Sequence, residues 1–317
     1  MGKIEFYKLQ ASGNDFVLID TRYSILDAKV NYKKLAQGYC KRKLGIGGDG
    51  LLIIGPSKVS DFKMRIFNPD GSEAEMCGNG ARCVAFYSVG NQKREARNRV
   101  KFETKAGVIE AEVRGQRAEG RGQRIDERRE TKDEGRQRLE IRKQKAGERN
   151  WEEIRVKITD PFDLKLNLPL KVLGRRIKVN FINTGVPHAV IFVEGLDMID
   201  VENIGRAIRF HKRFFPAGTN VNFVEFLKDK RIKLRTYERG VEAETLACGT
   251  GVVASAVIAN YRLFQEGKQI TGCRVKTKVE TRSKEVLNVC FNREGNKISD
   301  VWLEGKAYLV YKGEIEI

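Results

Sequence analysis

Residues 71–86 read GSEAEMCGNGARCVAF, and residues 241–257 read VEAETLACGTGVVASAV. When Cys77 is aligned with Cys248, four further positions carry identical residues. These are Glu73 with Glu244, Gly78 with Gly249, Gly80 with Gly251, and Ala85 with Ala256. A strand-like run precedes each cysteine and a helix-like run follows it, so the chain is predicted to contain two homologous halves.

Around these two motifs the chain consists mostly of short β-like runs separated by Gly, Asn and Asp. The predicted strands are Phe16–Asp20, Leu51–Ile54, Lys63–Phe67, Val100–Thr104, Val108–Val113, Val179–Ile182, Ala189–Val193, Val221–Phe226, Ile232–Tyr237, Lys276–Val279 and Val286–Phe291. The predicted helices are Tyr32–Lys43, Gly80–Gly90, Ile199–Arg209 and Gly251–Glu266. This mixture predicts an α+β fold with mixed or antiparallel sheets rather than a regular βαβ array.

The two C-G-x-G motifs place a thiol at the start of a helix. The first N–H groups of a helix are unpaired and carry partial positive charge, so we expect the pKa of each thiol to be lowered. A thiolate and a thiol on opposite faces of one carbon can remove a proton and return one, which is the chemistry of racemisation. Two alternatives remain open: Cys77 and Cys248 are buried structural residues, or they form a regulatory disulfide.

Several other segments have both a functional and a structural interpretation. The stretch GIGGDG at 45–50 matches a dinucleotide fingerprint, but a helix-like segment precedes it and a strand-like one follows, so it is predicted to be a turn. His188 is either a core histidine or a group that orients a thiol. Glu238 and Arg239 are either a surface ion pair or contacts to an amino group and a carboxylate. The same ambiguity between a turn and a ligand contact applies to Asn14, Asn68 and Asn220.

Composition constrains the setting of the protein. Its 317 residues carry a formal net charge of +18, and the six cysteines include no C-x₂-C pair, which argues against a structural zinc site. The N-terminus has no secretory signal pattern, so a cytoplasmic location is expected. Residues 114–150 are rich in Arg, Glu, Gln and Gly and are predicted to form a solvated insertion. The charge also leaves a basic nucleic-acid-binding protein as an alternative, although no basic stretch carries interleaved aromatic residues.

Six segments together resemble diaminopimelate epimerase, a family of PLP-independent enzymes of lysine and peptidoglycan-precursor synthesis. They are KLQASGNDFVLID (8–20), GIGGDGLLII (45–54), FNPDGSEAEMCGNGARCVAF (67–86), NTGVPHAVIFV (183–193), GTNVNFVEF (218–226) and YERGVEAETLACGTGVVASAV (237–257). The resemblance implies two homologous domains, each with sheets wrapped around a central helix, and an active site in the cleft between them. The expected domains are 1–113, joined by a returning C-terminal strand at about 306–317, and 151–305, with 114–150 as the insertion.

The resemblance also implies roles for individual residues. Cys77 and Cys248 are the expected acid/base pair, supported by His188 and Glu238. The expected substrate contacts are Asn14, Asn68, Gly78, Asn79, Asn220, Glu238, Arg239, Gly249 and Thr250. The family implies reversible epimerisation of LL-2,6-diaminopimelate to the meso form by a homodimer without metal or PLP. A proline or hydroxyproline racemase of the same superfamily is the alternative enzyme.

Overall fold

The computed structural model describes residues 3–22, 30–91, 98–114, 153–265 and 274–316. These residues form eighteen strands and four α-helices. The strands are β1 Lys3–Ala11, β2 Asn14–Asp20, β3 Gly50–Gly55, β4 Phe62–Phe67, β5 Glu73–Ala74, β6 Arg99–Thr104, β7 Gly107–Arg114, β8 Glu153–Lys157, β9 Phe162–Val172, β10 Arg175–Asn183, β11 Pro187–Phe192, β12 Asn220–Phe226, β13 Ile232–Glu238, β14 Ala243–Thr245, β15 Arg274–Glu280, β16 Val286–Glu294, β17 Lys297–Lys306 and β18 Tyr308–Glu316. The helices are α1 Tyr32–Tyr39, α2 Gly78–Asn91, α3 Val201–Arg209 and α4 Gly249–Gln265.

The hydrogen-bonded strand order repeats itself. One series runs β1, β2, β3, β4, β6, β7, β8, and the other runs β10, β11, β12, β13, β15, β16, β17. In the first series the parallel pairs are β2 with β3 and β4 with β6; in the second they are β11 with β12 and β13 with β15. The antiparallel pair of β8 and β17 joins the two series. The predicted α+β fold with two homologous halves is therefore confirmed.

Helices α2 and α4 lie inside the two halves of the sheet. Helix α2 packs against strands of the first series, α4 packs against strands of the second, and the two helices contact each other. Most of their side chains are apolar, with the buried Arg82 of α2 as an exception, and from Val252 to Tyr261 every residue of α4 is buried. A helix that is apolar on all sides is stable only when it is surrounded by protein. We conclude that each sheet wraps around one central helix.

Every predicted strand overlaps an observed one, but β1, β8, β9 and β17 were not predicted. Strand β9 carries leucines at every second position from 164 to 170, which is the β pattern. Leu170 is buried, whereas Leu164, Leu166 and Leu168 are only partly buried, and β9 pairs with β10 alone. Pro169 is tolerated there, since an edge strand has one unpaired side. Helix α1 ends four residues earlier than predicted because Gly47 and Gly48 donate back to the carbonyls of Tyr39 and Cys40.

The last strand of the chain returns to the first. Strand β18 lies antiparallel to β1, with Lys3 opposite Glu316 and Tyr7 opposite Lys312. Strand β8 is hydrogen bonded to β7 on one side and to β17 on the other. The domain boundaries drawn from the sequence stay a prediction, and the insertion beyond Arg114 lies outside the described residues. Within the described ranges, no helix has the length and apolar character needed to span a membrane.

Candidate active site

Cys77 and Cys248 each occupy the position immediately before a central helix. The carbonyl of Cys77 accepts a hydrogen bond from Ala81 N–H at 2.8 Å, and the carbonyl of Cys248 accepts one from Val252 N–H at 2.9 Å. Both thiols therefore lie at the positive end of a helix. Both are free cysteines in the structure, so they are not joined by a disulfide.

The two helix starts approach each other through glycines. A Cβ atom on Gly78 would lie 3.6 Å from the Cα of Gly249, and one on Gly249 would lie 3.4 Å from the Cα of Gly78. Leu303 of β17 packs against both positions, at 3.4 and 3.1 Å from those Cβ sites. A Cβ at either glycine would already be in van der Waals contact with the opposite backbone, so the two cysteine-bearing turns lie close together.

Burial governs the acid strength of the two thiols. Burial raises the pKa of Cys77 and of Cys248. Backbone N–H groups of Asn79 and Gly80 act in the opposite direction on Cys77, and that of Gly251 does so on Cys248. The expectation of a lowered pKa is wrong in its net direction, since desolvation of a thiolate outweighs the helix donors. The donors nevertheless point to where negative charge would develop.

Glu238, at the end of β13, acts on both thiols. Its charge raises the pKa of Cys77 and the pKa of Cys248, so the carboxylate lies within electrostatic reach of each. Burial in turn raises the pKa of Glu238, an effect that the neighbouring Thr245 hydroxyl partly offsets. Glu238 keeps some solvent-exposed surface, as Cys77 does, which is the behaviour of groups lining a crevice. A buried carboxyl group with a perturbed pKa beside two thiols is a candidate for a functional role.

On the C-terminal side, a line of polar groups leads away from Cys248. Its sulfur lies 3.5 Å from Thr250 Oγ1. Thr250 Oγ1 lies 3.0 Å from His188 Nε2, and His188 Nδ1 lies 3.0 Å from Asn222 Nδ2. His188 is fully buried, and burial together with the charge of Arg239 lowers its pKa to about 3, so the imidazole is neutral at physiological pH.

On the N-terminal side, the group beyond Cys77 is a buried arginine. Arg82 Nη2 donates to Ser12 Oγ at 2.5 Å and to Asn79 Oδ1 at 2.9 Å, whereas its Nε and Nη1 have no hydrogen-bond partner. Asn79 Nδ2 in turn donates to Asn14 Oδ1 at 2.6 Å and to the carbonyl of Ala247, next to the second cysteine, at 3.2 Å. This network connects the first helix start to the opposite half.

The remaining predicted contacts lie at strand ends. Asn220 begins β12 and is buried; its amide donates to the Pro187 carbonyl at 3.2 Å, and its Oδ1 accepts from Arg239 N–H at 2.8 Å. Arg239 Nη1 donates to the Ala217 carbonyl at 3.2 Å. Asn220 thus fixes the backbone that carries Glu238 and Arg239. Of the two interpretations of these residues, the ion pair is not formed, since the Arg239 guanidinium donates to Ala217 instead.

Asn14 and Asn68 belong to turns in the first half. Asn14 Nδ2 donates to Asp49 Oδ2 at 3.0 Å, so the 45–50 turn orients this asparagine. Asn68 is exposed between β4 and β5 and donates to Ser72 Oγ at 2.9 Å. By strand register, Asn68 occupies the position that Glu238 occupies in the second half.

Sequence reasoning missed a pair of matched ion pairs that support both cysteines. Arg65 Nε donates to Glu73 at 2.7 Å and Arg235 Nε donates to Glu244 at 2.7 Å, each with a second bond from Nη2. Each pair ties a long strand to the short strand that leads into a cysteine. The signal was present in FKMRIFN (62–68) and IKLRTYE (232–238), which align residue for residue on their arginines. Asn222, Thr236, Ser12 and Arg82 were also missed.

The fold recurs in solved structures of low sequence identity. A phenazine biosynthesis protein of the PhzF family from Bacillus anthracis is similar with a TM-score of 0.69 and 16% identity, covering 100% of both chains. A probable proline racemase from Agrobacterium radiobacter K84 has a TM-score of 0.63 and 15% identity, covering 99% of this chain and 92% of that one. These likenesses define the class of fold: two matched halves around two central helices.

Sequence comparisons are more specific. The family model described as diaminopimelate epimerase matches residues 6–124 and 180–301. The diaminopimelate epimerase of Aquifex aeolicus is 38% identical over 98% of both chains, and that of Methanothrix thermoacetophila is 43% identical over 82% of both. That of Archaeoglobus fulgidus is 41% identical over 84% of this chain and 85% of its own. The chain belongs to the diaminopimelate epimerase family.

Proposed function

We propose that this protein interconverts LL-2,6-diaminopimelate and meso-diaminopimelate, in lysine and peptidoglycan-precursor biosynthesis. The observation that carries the proposal is the close approach of two matched helix starts, each preceded by a free cysteine, in a chain of this family. One proton donor and one proton acceptor on opposite sides of a carbon suffice for the reaction.

In one direction, one cysteine is the thiolate and the other the thiol. The thiolate takes the α-proton, and the electron pair left on the carbon delocalises onto the carboxylate. The second thiol then gives its proton to the opposite face, which leaves the two sulfurs with exchanged protonation states. Backbone N–H groups of Asn79 and Gly80 act on the sulfur of Cys77, and that of Gly251 acts on the sulfur of Cys248, so they can stabilise the thiolate that forms on either side.

The groups around the cysteines provide partners for a substrate with two amino-acid ends. Asn79, Thr250 and the N–H groups beside Gly78 and Gly249 are proposed to bind the reacting carboxylate. The carboxylate of Glu238 is proposed to bind an ammonium group, and the guanidinium of Arg239 is proposed to bind the second carboxylate. Asn14, Asn68 and Asn220 are proposed to bind the distal end. Glu238 and His188 are proposed to support the proton transfers of the thiols.

We further propose that the enzyme is a cytoplasmic homodimer that needs neither metal nor PLP. Sedimentation of the purified chain measures whether it is a dimer. Turnover after treatment with EDTA tests whether a metal is needed, and turnover after treatment with hydroxylamine, which removes carbonyl cofactors, tests whether PLP is needed. An enzyme that required added metal or PLP would contradict the two-thiol scheme.

Proton exchange tests the proposed reaction directly. In heavy water, LL-diaminopimelate is expected to convert to the meso form and to gain deuterium at one α-carbon, as followed by NMR. L-Proline and trans-4-hydroxy-L-proline serve as matched substrates. Exchange of proline without exchange of diaminopimelate would overturn the proposal in favour of a proline-type racemase.

A further inference from the structure

His188 is held in one tautomer by its neighbours. The Nδ2 atom of Asn222 contacts two groups: the carbonyl of Ala189 at 3.1 Å and His188 Nδ1 at 3.0 Å. A carbonyl only accepts hydrogen bonds, so the atom facing it is the amide nitrogen, which has two protons to donate. The second proton points to His188 Nδ1, which must therefore accept. The imidazole proton lies on Nε2.

The placement of Asn222 is itself fixed. Thr236 Oγ1 donates to Asn222 Oδ1 at 3.0 Å, which is consistent with the same amide orientation. Asn222 is fully buried and Thr236 almost so, and neither faces bulk solvent. A Cβ atom on Gly251 would overlap Asn222 Oδ1, so the helix start leaves room for this amide. Buried amides of this kind keep their orientation because an unpaired polar atom would be costly.

The tautomer determines what Thr250 can do. His188 Nε2–H donates to Thr250 Oγ1 at 3.0 Å, so the hydroxyl oxygen is used as an acceptor. The hydroxyl proton is then free for the sulfur of Cys248 at 3.5 Å. A hydroxyl donor favours the thiolate over the thiol, and it does so here in a place where burial disfavours charge.

We propose that Asn222, oriented by Thr236, is a positioning residue for Cys248: by fixing His188 as the Nε2–H tautomer, it directs the Thr250 hydroxyl proton to the sulfur. The role of Asn222 in catalysis rests on the proposed function, but the direction of the hydrogen bonds from Asn222 to Cys248 does not. The first half has no such line, because Leu52 takes the register position of Asn222 and Phe16 that of His188. The device therefore serves Cys248 and not Cys77.

The native protein gives the first test. The chain has only two histidines, so a ¹⁵N-histidine spectrum contains the rings of His188 and His211 alone. We expect His188 to carry its proton on Nε2 and to stay neutral from pH 5 to pH 9. Asn222→Asp, which offers an acceptor in place of a donor, should bring a proton to Nδ1. A wild-type ring protonated on Nδ1, or one titrating near its ordinary pKa, would overturn the proposal.

The second test separates positioning from packing. Asn222→Leu copies the residue of the first half; Asn180→Leu is the matched control, because Asn180 is also buried in a strand but donates to the Val190 carbonyl instead. Alkylation by iodoacetamide across pH, with each cysteine read by peptide mass spectrometry, should show the Cys248 midpoint raised by about one pH unit in Asn222→Leu only. The Cys77 midpoint should not move.

Kinetics complete the test. In Asn222→Leu we expect kcat to fall about tenfold, with KM within about twofold of the wild type. A variant with an unchanged Cys248 profile and unchanged kcat would overturn the proposal, as would a change confined to KM. The spectrum and the alkylation are measured without substrate, so failure of the assumed diaminopimelate reaction would leave them intact and would be recognised separately by the absence of α-proton exchange.

Discussion

Cys77 and Cys248 lie at equivalent points of the two halves, but the side chains behind them differ. Behind Cys248 stand His188, Asn222 and Thr236; the same register positions in the first half hold Phe16, Leu52 and Ile66. The two halves share the elements that hold each cysteine in place, namely the glycines of the C-G-x-G turn and one Arg–Glu ion pair. The comparison teaches that the frame of the site is duplicated while the environment of each sulfur is set independently.

The two sides also differ in charge. The first half places the buried cation Arg82 near Cys77, and its charge lowers the pKa of that thiol against the effect of burial. The second half places a neutral imidazole two hydrogen bonds from Cys248. A reaction that runs in both directions needs each sulfur to act as base in turn, so the two environments represent different solutions to the same requirement.

Removing either sulfur should have the largest effect. Cys77→Ala and Cys248→Ala are each expected to lower epimerisation at least about 10³-fold, because one face of the carbon loses its proton carrier. Cys83→Ala is the control, since Cys83 is buried in the core of the same helix. NMR of the diaminopimelate isomers measures all three. Normal turnover in either single active-site variant would break the two-base scheme.

The next largest effect is expected from placing alanine at the third residue of α2 or of α4, and it should differ between the two halves. In Gly251→Ala the new Cβ overlaps Asn222 Oδ1, whereas in Gly80→Ala it meets the flexible ends of Leu52 and Met64 at 3.1 and 3.3 Å. We expect Gly251→Ala to lower the free energy of unfolding by about 1–3 kcal/mol. Gly80→Ala should cost less than about 1 kcal/mol, since alanine also favours the helix. Urea unfolding measures both, and equal costs would contradict the comparison.

A smaller effect is expected from acid. The Arg65 guanidinium leads the interactions that lower the pKa of Glu73 to about 2, against an opposing effect of burial, from an ordinary value near 4.5. A carboxylate with a lowered folded pKa stabilises the protein above its unfolded pKa, and this contribution is lost as the pH falls from about 4.5 towards about 2. Arg65→Met should flatten the dependence of the unfolding midpoint on pH in that window. An unchanged slope would show that Glu73 does not need this arginine.

The sequence predicted the halves and the paired cysteines because both depend on residues at short, fixed spacings, such as C-G-x-G. It predicted the wrong direction for the shift of the thiol pKa values, because burial depends on how the sheets close around α2 and α4. It also missed Asn222 and Thr236: each looks like an ordinary polar residue in a strand until the register places it against His188. Arg65 and Arg235 were within reach of the sequence, since they align when the two strand motifs are compared.

The pairing of β18 with β1 has a consequence for how the chain acquires its shape. Strand β1 leaves the ribosome before every other described strand, yet its outer neighbour is complete only after residue 316 has been added. Until then, the backbone groups along that edge of the first half have no partner and are open to pairing with other chains. Closing this pair spans almost the whole sequence, and such distant contacts slow folding. The sheet of the first half is therefore completed only after the strands of the second half have been synthesised.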